Sequence, residues 1–282
     1  MNDDRYTKGN KKGSTAKDIL TSAHMAVSVY TKIPMPYIDM TDSSPRFLFC
    51  FFPVVGIVMG VLARLWQYIY AVSGIDLRLL WAVITAVIPI LITGGIHMDG
   101  FIDCMDAYSS YRDRDKRLEI LKDPHVGAFG VLWTVIYMLT YTALIYHMPA
   151  NRAVMLGVIY TVERIMLGLF LMGSNMARQT GMLASVMKDT ARGVTVAVLI
   201  AELVTVVSCV SYISYHMLLS EQGVGYSMGS GIIRIMVLSA VMASVGILGV
   251  YKAHKTLGGM TGDTCGYVIQ MMELTGVLVL TL

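Results

Sequence analysis

The chain has 282 residues, about 64% of them apolar once its 26 glycines are counted with the hydrophobic set, against roughly 45–50% on the same basis in soluble globular chains. Only 15% are charged, the net charge is +3 and the mean hydropathy is +0.62. These figures exclude a soluble domain, a disordered chain, a collagen-like fibre and a nucleic-acid binder built on a basic stripe. The apolar runs are long and continuous rather than alternating, which selects transmembrane helices over a closed barrel.

In chain order, residues 1–15 read as a disordered basic tail, and 16–282 as a single membrane-embedded catalytic domain. Residues 16–33 have a helical pattern, but Asp18 and His24 make them too polar for a clear span. This segment is expected at the membrane interface or as a re-entrant helix. Seven spans follow, near 47–70, 79–96, 129–147, 153–173, 194–219, 231–251 and 265–282. The expected fold class is all-α: a polytopic transmembrane helical bundle of about seven spans plus that N-terminal helix. With the N-terminus in the cytoplasm, 17 of the 22 Lys and Arg fall on one side, in the tail and in the 97–128, 174–193 and 252–264 loops. Only Arg78 and Arg152 fall in the external connections. That asymmetry sets the topology in the cell membrane and puts the polar motif loops on the cytoplasmic side. The four cysteines (Cys50, Cys104, Cys209 and Cys265) lack a C-x-x-C spacing and read as reduced packing residues. No cleavable signal sequence is evident.

The second span runs into Thr93-Gly94-Gly95-Ile96-His97-Met98-Asp99-Gly100-Phe101-Ile102-Asp103-Cys104-Met105-Asp106. On a helix, Asp99, Asp103 and Asp106 fall within a sector of roughly 60°, giving one stripe of carboxylates. Like charges this close call for a cation among them, and hard oxygen donors suit Mg²⁺ bridging to phosphates. The lack of nearby His or Cys ligand pairs argues against zinc. His97 falls on the opposite side of the ideal helix and reads as a structural hydrogen-bonding residue. Downstream, the charges of residues 112–119 fit a solvated helix equally well. Lys122, Asp123, Gly127 and Gly130 suggest a loop that approaches phosphate. A second polar cluster, Lys255-Thr256-Leu257-Gly258-Gly259-Met260-Thr261-Gly262-Asp263-Thr264-Cys265-Gly266, offers accessible backbone N–H groups, as anion-binding nests do. Its Asp263 is a fourth acid, for metal or for proton abstraction. Glu163, Arg164, Glu202 and Glu273 fall inside spans, where ionisable groups are functional by default. For Glu163 and Arg164 a structural pair is the alternative.

Carboxylates, basic residues and glycine loops at a membrane surface indicate phosphoryl or nucleotidyl transfer, and no Walker-type G-x-x-x-x-G-K-[ST] is present to support ATP hydrolysis. The stretches 31–36, 52–56, 94–106, 117–120, 122–123 and 256–264 together resemble the cobalamin synthase family, the adenosylcobinamide-GDP ribazoletransferases. The likeness spans residues 27 to 275. Ala107, Pro124 and Glu163 depart from the pattern, where Gly, Ser and a small residue are usual. The resemblance implies a Mg²⁺-dependent enzyme joining adenosylcobinamide-GDP to α-ribazole, or its 5′-phosphate, with release of GMP. It implies metal ligation by Asp99 and Asp103, with Asp106 or Asp263 completing the metal shell or acting as base. It marks Gly94, Gly95, His97, Arg117, Lys122, Asp123, Arg164, Arg178, Gly258, Gly259, Thr261, Gly262 and Glu273 as substrate-binding candidates. The implied partners are these small molecules and membrane lipid, with no nucleic acid; a homo-oligomer is left open. The alternatives are a CDP-alcohol phosphotransferase, whose D-G-x-x-A-R pattern fails here because Phe101-Ile102-Asp103 follows Asp99-Gly100, and a cation- or proton-coupled transporter.

Overall fold

A computed structural model describes residues 15–37, 44–74, 76–220 and 228–282. The expected tail lies outside the described residues except for Thr15, which already belongs to the first helix. Among the described residues the chain is helical, with a single isolated bridge between Met176 and Met260. The helices are α1 (Thr15–Tyr30), α2 (Leu48–Ser73), α3 (Arg78–Thr93), α4 (Ile96–Ser109), α5 (Arg114–Ile120), α6 (Ala128–His147), α7 (Leu156–Met172), α8 (Met182–Asp189), α9 (Arg192–Ser220), α10 (Met228–Leu257) and α11 (Gly262–Thr281). A short 3-10 segment, Ala150–Met155, leads into α7.

Among the described residues, six stretches are long and apolar enough to cross a membrane: α2, α6, Arg152–Met172, the greater part of α9 and of α10, and α11. The protein is thus a multi-pass helical bundle, as its composition predicts. The second predicted span is the exception. Its helix, α3, stops at Thr93 after 16 residues, and α3 and α4 meet at a bend of 95°. Gly94 and Gly95 both adopt positive φ, 64° and 80°, and Gly95 N–H donates to the Ile90 carbonyl at 2.9 Å while Gly94 N–H donates to that of Leu91 at 3.3 Å. This is a Schellman-type stop. The glycine pair that the resemblance marks for substrate binding forms a corner, after which α4 turns away from the direction of α3.

α2 runs against α7 through glycines. A Cβ on Gly60 would lie 2.4 Å from Gly157 Cα, and one on Gly56 only 2.2 Å from the Tyr160 carbonyl oxygen, so the two backbones meet as small-residue membrane helices do. α11 packs on α4, α10 and α7. α1 is too short to span, and its buried face is polar: Asp18, Thr21 and Ser22. Asp18 accepts from Ser44 N–H at 3.0 Å and lies 3.7 Å from Arg46, while Ser22 Oγ accepts from Phe47 N–H at 3.0 Å. Asp18, one of the two residues too polar for a span, thus joins Ser22 in satisfying backbone donors just before α2, while the His24 ring bonds to the Pro36 carbonyl at 2.7 Å. α10 extends to Leu257, six residues past its predicted end at 251. Lys252 thus belongs to a helix, with its ammonium over the rings of Tyr108 and Tyr267, at 4.1 and 5.2 Å. All four cysteines are free thiols.

Candidate active site

The site forms where α4 crosses the start of α11. Gly100 faces the Asp263 backbone, its would-be Cβ 2.7 Å from that carbonyl oxygen, and Gly266 faces the His97 carbonyl at 2.5 Å. With no side chain between the two helices, Asp99 and Asp263 come to line one cavity of about 320 Å³. The turn before α11 is fixed from both ends. Met260 N–H donates to the Asn175 carbonyl at 2.8 Å, and Ala177 N–H donates to that of Met260 at 2.9 Å. Thr261 and Thr264 then form a reciprocal capping box, with bonds of 2.8 and 3.1 Å.

Gly258 and Gly259 take positive φ in this turn and press against the Arg114 guanidinium and the 175–177 backbone. They shape a backbone clip, and neither lines the cavity. Thr261, Gly262, His97 and Arg178 do line it. Arg178 is anchored by donating to the Leu118 carbonyl. His97 is buried against Tyr30 and Phe52, with ring centroids 6.0 Å from each. Asp103, on the helix beyond the corner, is half-buried. Burial, then the charges of Asp99, Asp263 and Asp106, push its carboxyl up to about 7.

Asp106 does not join that set as a free ligand. Its two carboxylate oxygens accept from Gly127 N–H at 2.7 Å and Gly130 N–H at 2.8 Å. It holds the first turn of α6, and a Cβ on either glycine would strike it. Among the described residues, no three acidic, histidine or cysteine side chains stand close enough to hold a metal ion by themselves. Of the predicted stripe of three carboxylates, Asp106 thus caps the start of α6.

Several other candidates stand apart from the cavity lining. Lys122 and Asp123 lie on an exposed turn, one residue beyond the cavity-lining Leu121. Asp123 accepts from the His125 backbone at 3.0 Å and pairs with its ring at 2.7 Å; those His125 bonds hold its carboxyl below the usual range. Arg117 is half-buried outside the cavity lining. Arg164 and Glu273 are buried inside the bundle. Arg164 pairs with Glu163 at 2.5 Å, donates to the Tyr160 carbonyl at 2.7 Å and sits 5.5 Å from the Phe52 ring. The structural-pair alternative describes where Arg164 sits. Sequence reasoning missed the rest of the lining: Tyr30, Phe49, Leu167, Leu171 and the edge from Thr180 to Ala184. Phe52 was flagged by the Phe52-Pro53 stretch; the others sit in apolar runs or a plain loop that carry no distinguishing signal.

Residues 22–281 match the family described as cobalamin-5-phosphate synthase. The chain belongs to this family. The adenosylcobinamide-GDP ribazoletransferase of Lachnoclostridium phytofermentans is 34% identical, over 90% of this chain and 91% of that protein. The Clostridium perfringens protein of that name is 30% identical, covering 91% and 96%, and the Brevibacillus brevis one 28%, covering 90% and 95%. No solved structure matches the chain. Family membership bears out the resemblance of the motifs and makes the chain a transferase of cobalamin biosynthesis, in place of the lipid-phosphotransferase and transporter alternatives.

Proposed function

We propose that the chain joins adenosylcobinamide-GDP to α-ribazole, or to its 5′-phosphate, at the cavity between α4 and α11, on the cytoplasmic face of the cell membrane. The observation that carries this reading is the convergence of Asp99 and Asp263 with Arg178 around one cavity, beside the half-buried Asp103. The one-sided distribution of Lys and Arg supports the orientation.

A ribose hydroxyl oxygen of the acceptor bonds to the phosphorus carried by the cobinamide arm. The bridging P–O bond breaks and its electron pair leaves with GMP. Asp263 takes the hydroxyl proton; the two backbone bonds that occupy Asp106 favour this choice. Arg178 contacts the phosphates, and Lys122 meets the incoming diphosphate from its exposed turn.

The donor set fits Mg²⁺, which takes one or two carboxylates from a protein and completes its shell with phosphate and water. Asp99 and Asp103 supply hard oxygens and carry repelling charge that a cation relieves. When bound there, Mg²⁺ would neutralise the diphosphate and stabilise the departing GMP.

The test uses the purified full chain in lipid nanodiscs with adenosylcobinamide-GDP, α-ribazole and Mg²⁺. GMP is expected only when all three are present. No GMP from the complete mixture overturns the reading, and GMP release without added divalent ion overturns the Mg²⁺ assignment.

A further inference from the structure

Lys32 belongs to the motif at 31–36, which the chemistry proposed above does not use. Its place in the fold is specific. α1 stops at Tyr30, and Thr31 closes that end: its Oγ1 donates to the Val27 carbonyl at 2.7 Å and accepts from Ile33 N–H at 3.1 Å. The chain crosses there to the corner between α3 and α4, where Lys32 N–H donates to the Ile92 carbonyl at 2.8 Å. The side chain then lies along Gly94. A Cβ on that glycine would stand 2.1 Å from Lys32 Cε, 2.7 Å from Cγ and 2.8 Å from Cδ, so the alkyl stem fills the space that a side chain at 94 would take. The ammonium, one bond past Cε, is held at the corner while Lys32 stays exposed. Among the described residues no carboxylate stands within ion-pair distance of it.

The same corner carries the open end of α4, which no side chain caps. Asp99 N–H is the first to bond, to the Gly95 carbonyl at 2.8 Å, and this leaves the N–H groups of Ile96, His97 and Met98 without an intrahelical partner. His97 is 5% exposed and lines the cavity. Its ring meets Tyr30 and Phe52 but has no hydrogen-bond partner among the described residues. Tyr30, two residues before Lys32, and Ile96, two residues after Gly94, line that cavity as well. Lysine and helix N-terminus therefore meet at its rim.

Resting on the function proposed above, we propose that Lys32 is a substrate-binding residue that holds a phosphate group at this rim, together with the N-terminus of α4 and the His97 ring. Charge is the first reason. Asp99, Asp103 and Asp263 repel a phosphate, and among the cavity-lining residues Arg178 alone is a lysine or arginine. A fixed ammonium beside the positive end of a helix offsets that repulsion. Preorganisation is the second. Ordering a long lysine stem costs conformational entropy, and here the stem is packed on Gly94 before any substrate arrives. Phosphate comes to this enzyme from two sources, the diphosphate of adenosylcobinamide-GDP and the 5′-phosphate of α-ribazole 5′-phosphate, and the experiment separates them.

The test measures KM for adenosylcobinamide-GDP, α-ribazole and α-ribazole 5′-phosphate in nanodiscs, with GMP release as the readout. Lys32→Met keeps a stem on Gly94 and removes the charge. It is expected to raise KM for a phosphate-bearing substrate about tenfold, the scale of one charge-assisted hydrogen bond, with KM for α-ribazole unmoved. A rise for adenosylcobinamide-GDP assigns Lys32 to the diphosphate, and a rise confined to α-ribazole 5′-phosphate assigns it to that group. Lys32→Arg keeps the charge and is expected to recover most of the loss; an arginine variant as impaired as the methionine one means that packing was lost, and overturns the assignment. Unchanged KM for both phosphate-bearing substrates overturns it too, as does an equal rise for α-ribazole. Lys32→Gln serves the same comparison if Lys32→Met does not fold. All these outcomes leave the wild-type reaction standing, whereas failure of the wild type to release GMP removes the parent reading instead.

Discussion

Two regions of this protein concentrate acidic side chains, and they are resolved in opposite ways. Inside the bundle, Glu163 and Glu273 are both enclosed, and the Arg164 guanidinium pairs with Glu163 at 2.5 Å. At the α4–α11 crossing, Asp99 is exposed and Asp263 part-buried at a cavity, and Asp103 beside them carries the penalty of burial and then of its neighbours' charge. In the first group a carboxylate meets its counter-charge within the same helix. In the second, three carboxylates share the single guanidinium of Arg178, which leaves net negative charge at the cavity. Acid count does not distinguish the two regions; the balance of acids against internal counter-charge does.

The sharpest way to break this contrast is to remove the unmatched charges. Asp99→Ala and Asp263→Asn are each expected to lower GMP release by about 10²–10³, the scale of losing one preorganised electrostatic or proton-accepting group, with normal thermal unfolding of the purified protein. Near-normal turnover in either variant would dissolve the distinction. The converse experiment removes a matched charge. Arg164→Ala strands the Glu163 carboxylate in the bundle and is expected to cost about 3–5 kcal/mol of stability, seen as loss of folded protein in a thermal assay. Pairing it with Glu163→Gln should recover much of that loss. An Arg164→Ala protein that unfolds normally but does not turn over would move Arg164 into the phosphate site.

Asp106 falls between the two regions and sharpens the line. As a cap for the start of α6, Asp106→Ala is expected to cost about 1–2 kcal/mol, with GMP release by the remaining folded protein reduced severalfold at most. A collapse of turnover at unchanged stability would return Asp106 to the metal set.

The bundle was largely legible because hydropathy reads spans directly: the predicted windows near 129–147 and 153–173 lie within a residue or two of Ala128–His147 and Arg152–Met172. Corners were less so. Gly94-Gly95 signalled a special backbone, but a glycine pair does not say whether it serves approach or bending. The carboxylate stripe is read in angle but not in height. Angular position on a helix places Asp99, Asp103 and Asp106 on one side, but Asp99 and Asp106 are about 10.5 Å apart along the axis at 1.5 Å per residue. At that height Asp106 faces the start of α6, where its oxygens accept from Gly127 and Gly130 N–H. The apolar side of the cavity was illegible for another reason: Phe49, Leu167 and Leu171 differ in no local way from the lipid-facing residues of the same runs, and only tertiary packing turns them toward a cavity.

Lys122 is where the smallest effect is expected. It extends the unmatched region outward, since its neighbour Leu121 lines the cavity while Lys122 itself is exposed. Its turn is ordered by Asp123, which binds the His125 backbone and ring, so the ammonium is presented from a defined place rather than from a loose loop. An exposed charge contributes little to binding once solvent and salt screen it, on the order of 0.2–1 kcal/mol. Lys122→Ala should therefore raise KM for adenosylcobinamide-GDP by about two- to fivefold, with KM for α-ribazole unmoved, and the difference from wild type should shrink as ionic strength rises. A loss of a hundredfold that persists in high salt would mean that this lysine is enclosed with the diphosphate during turnover, and the boundary of the unmatched region would then have to include the whole turn from Leu121 to Gly127.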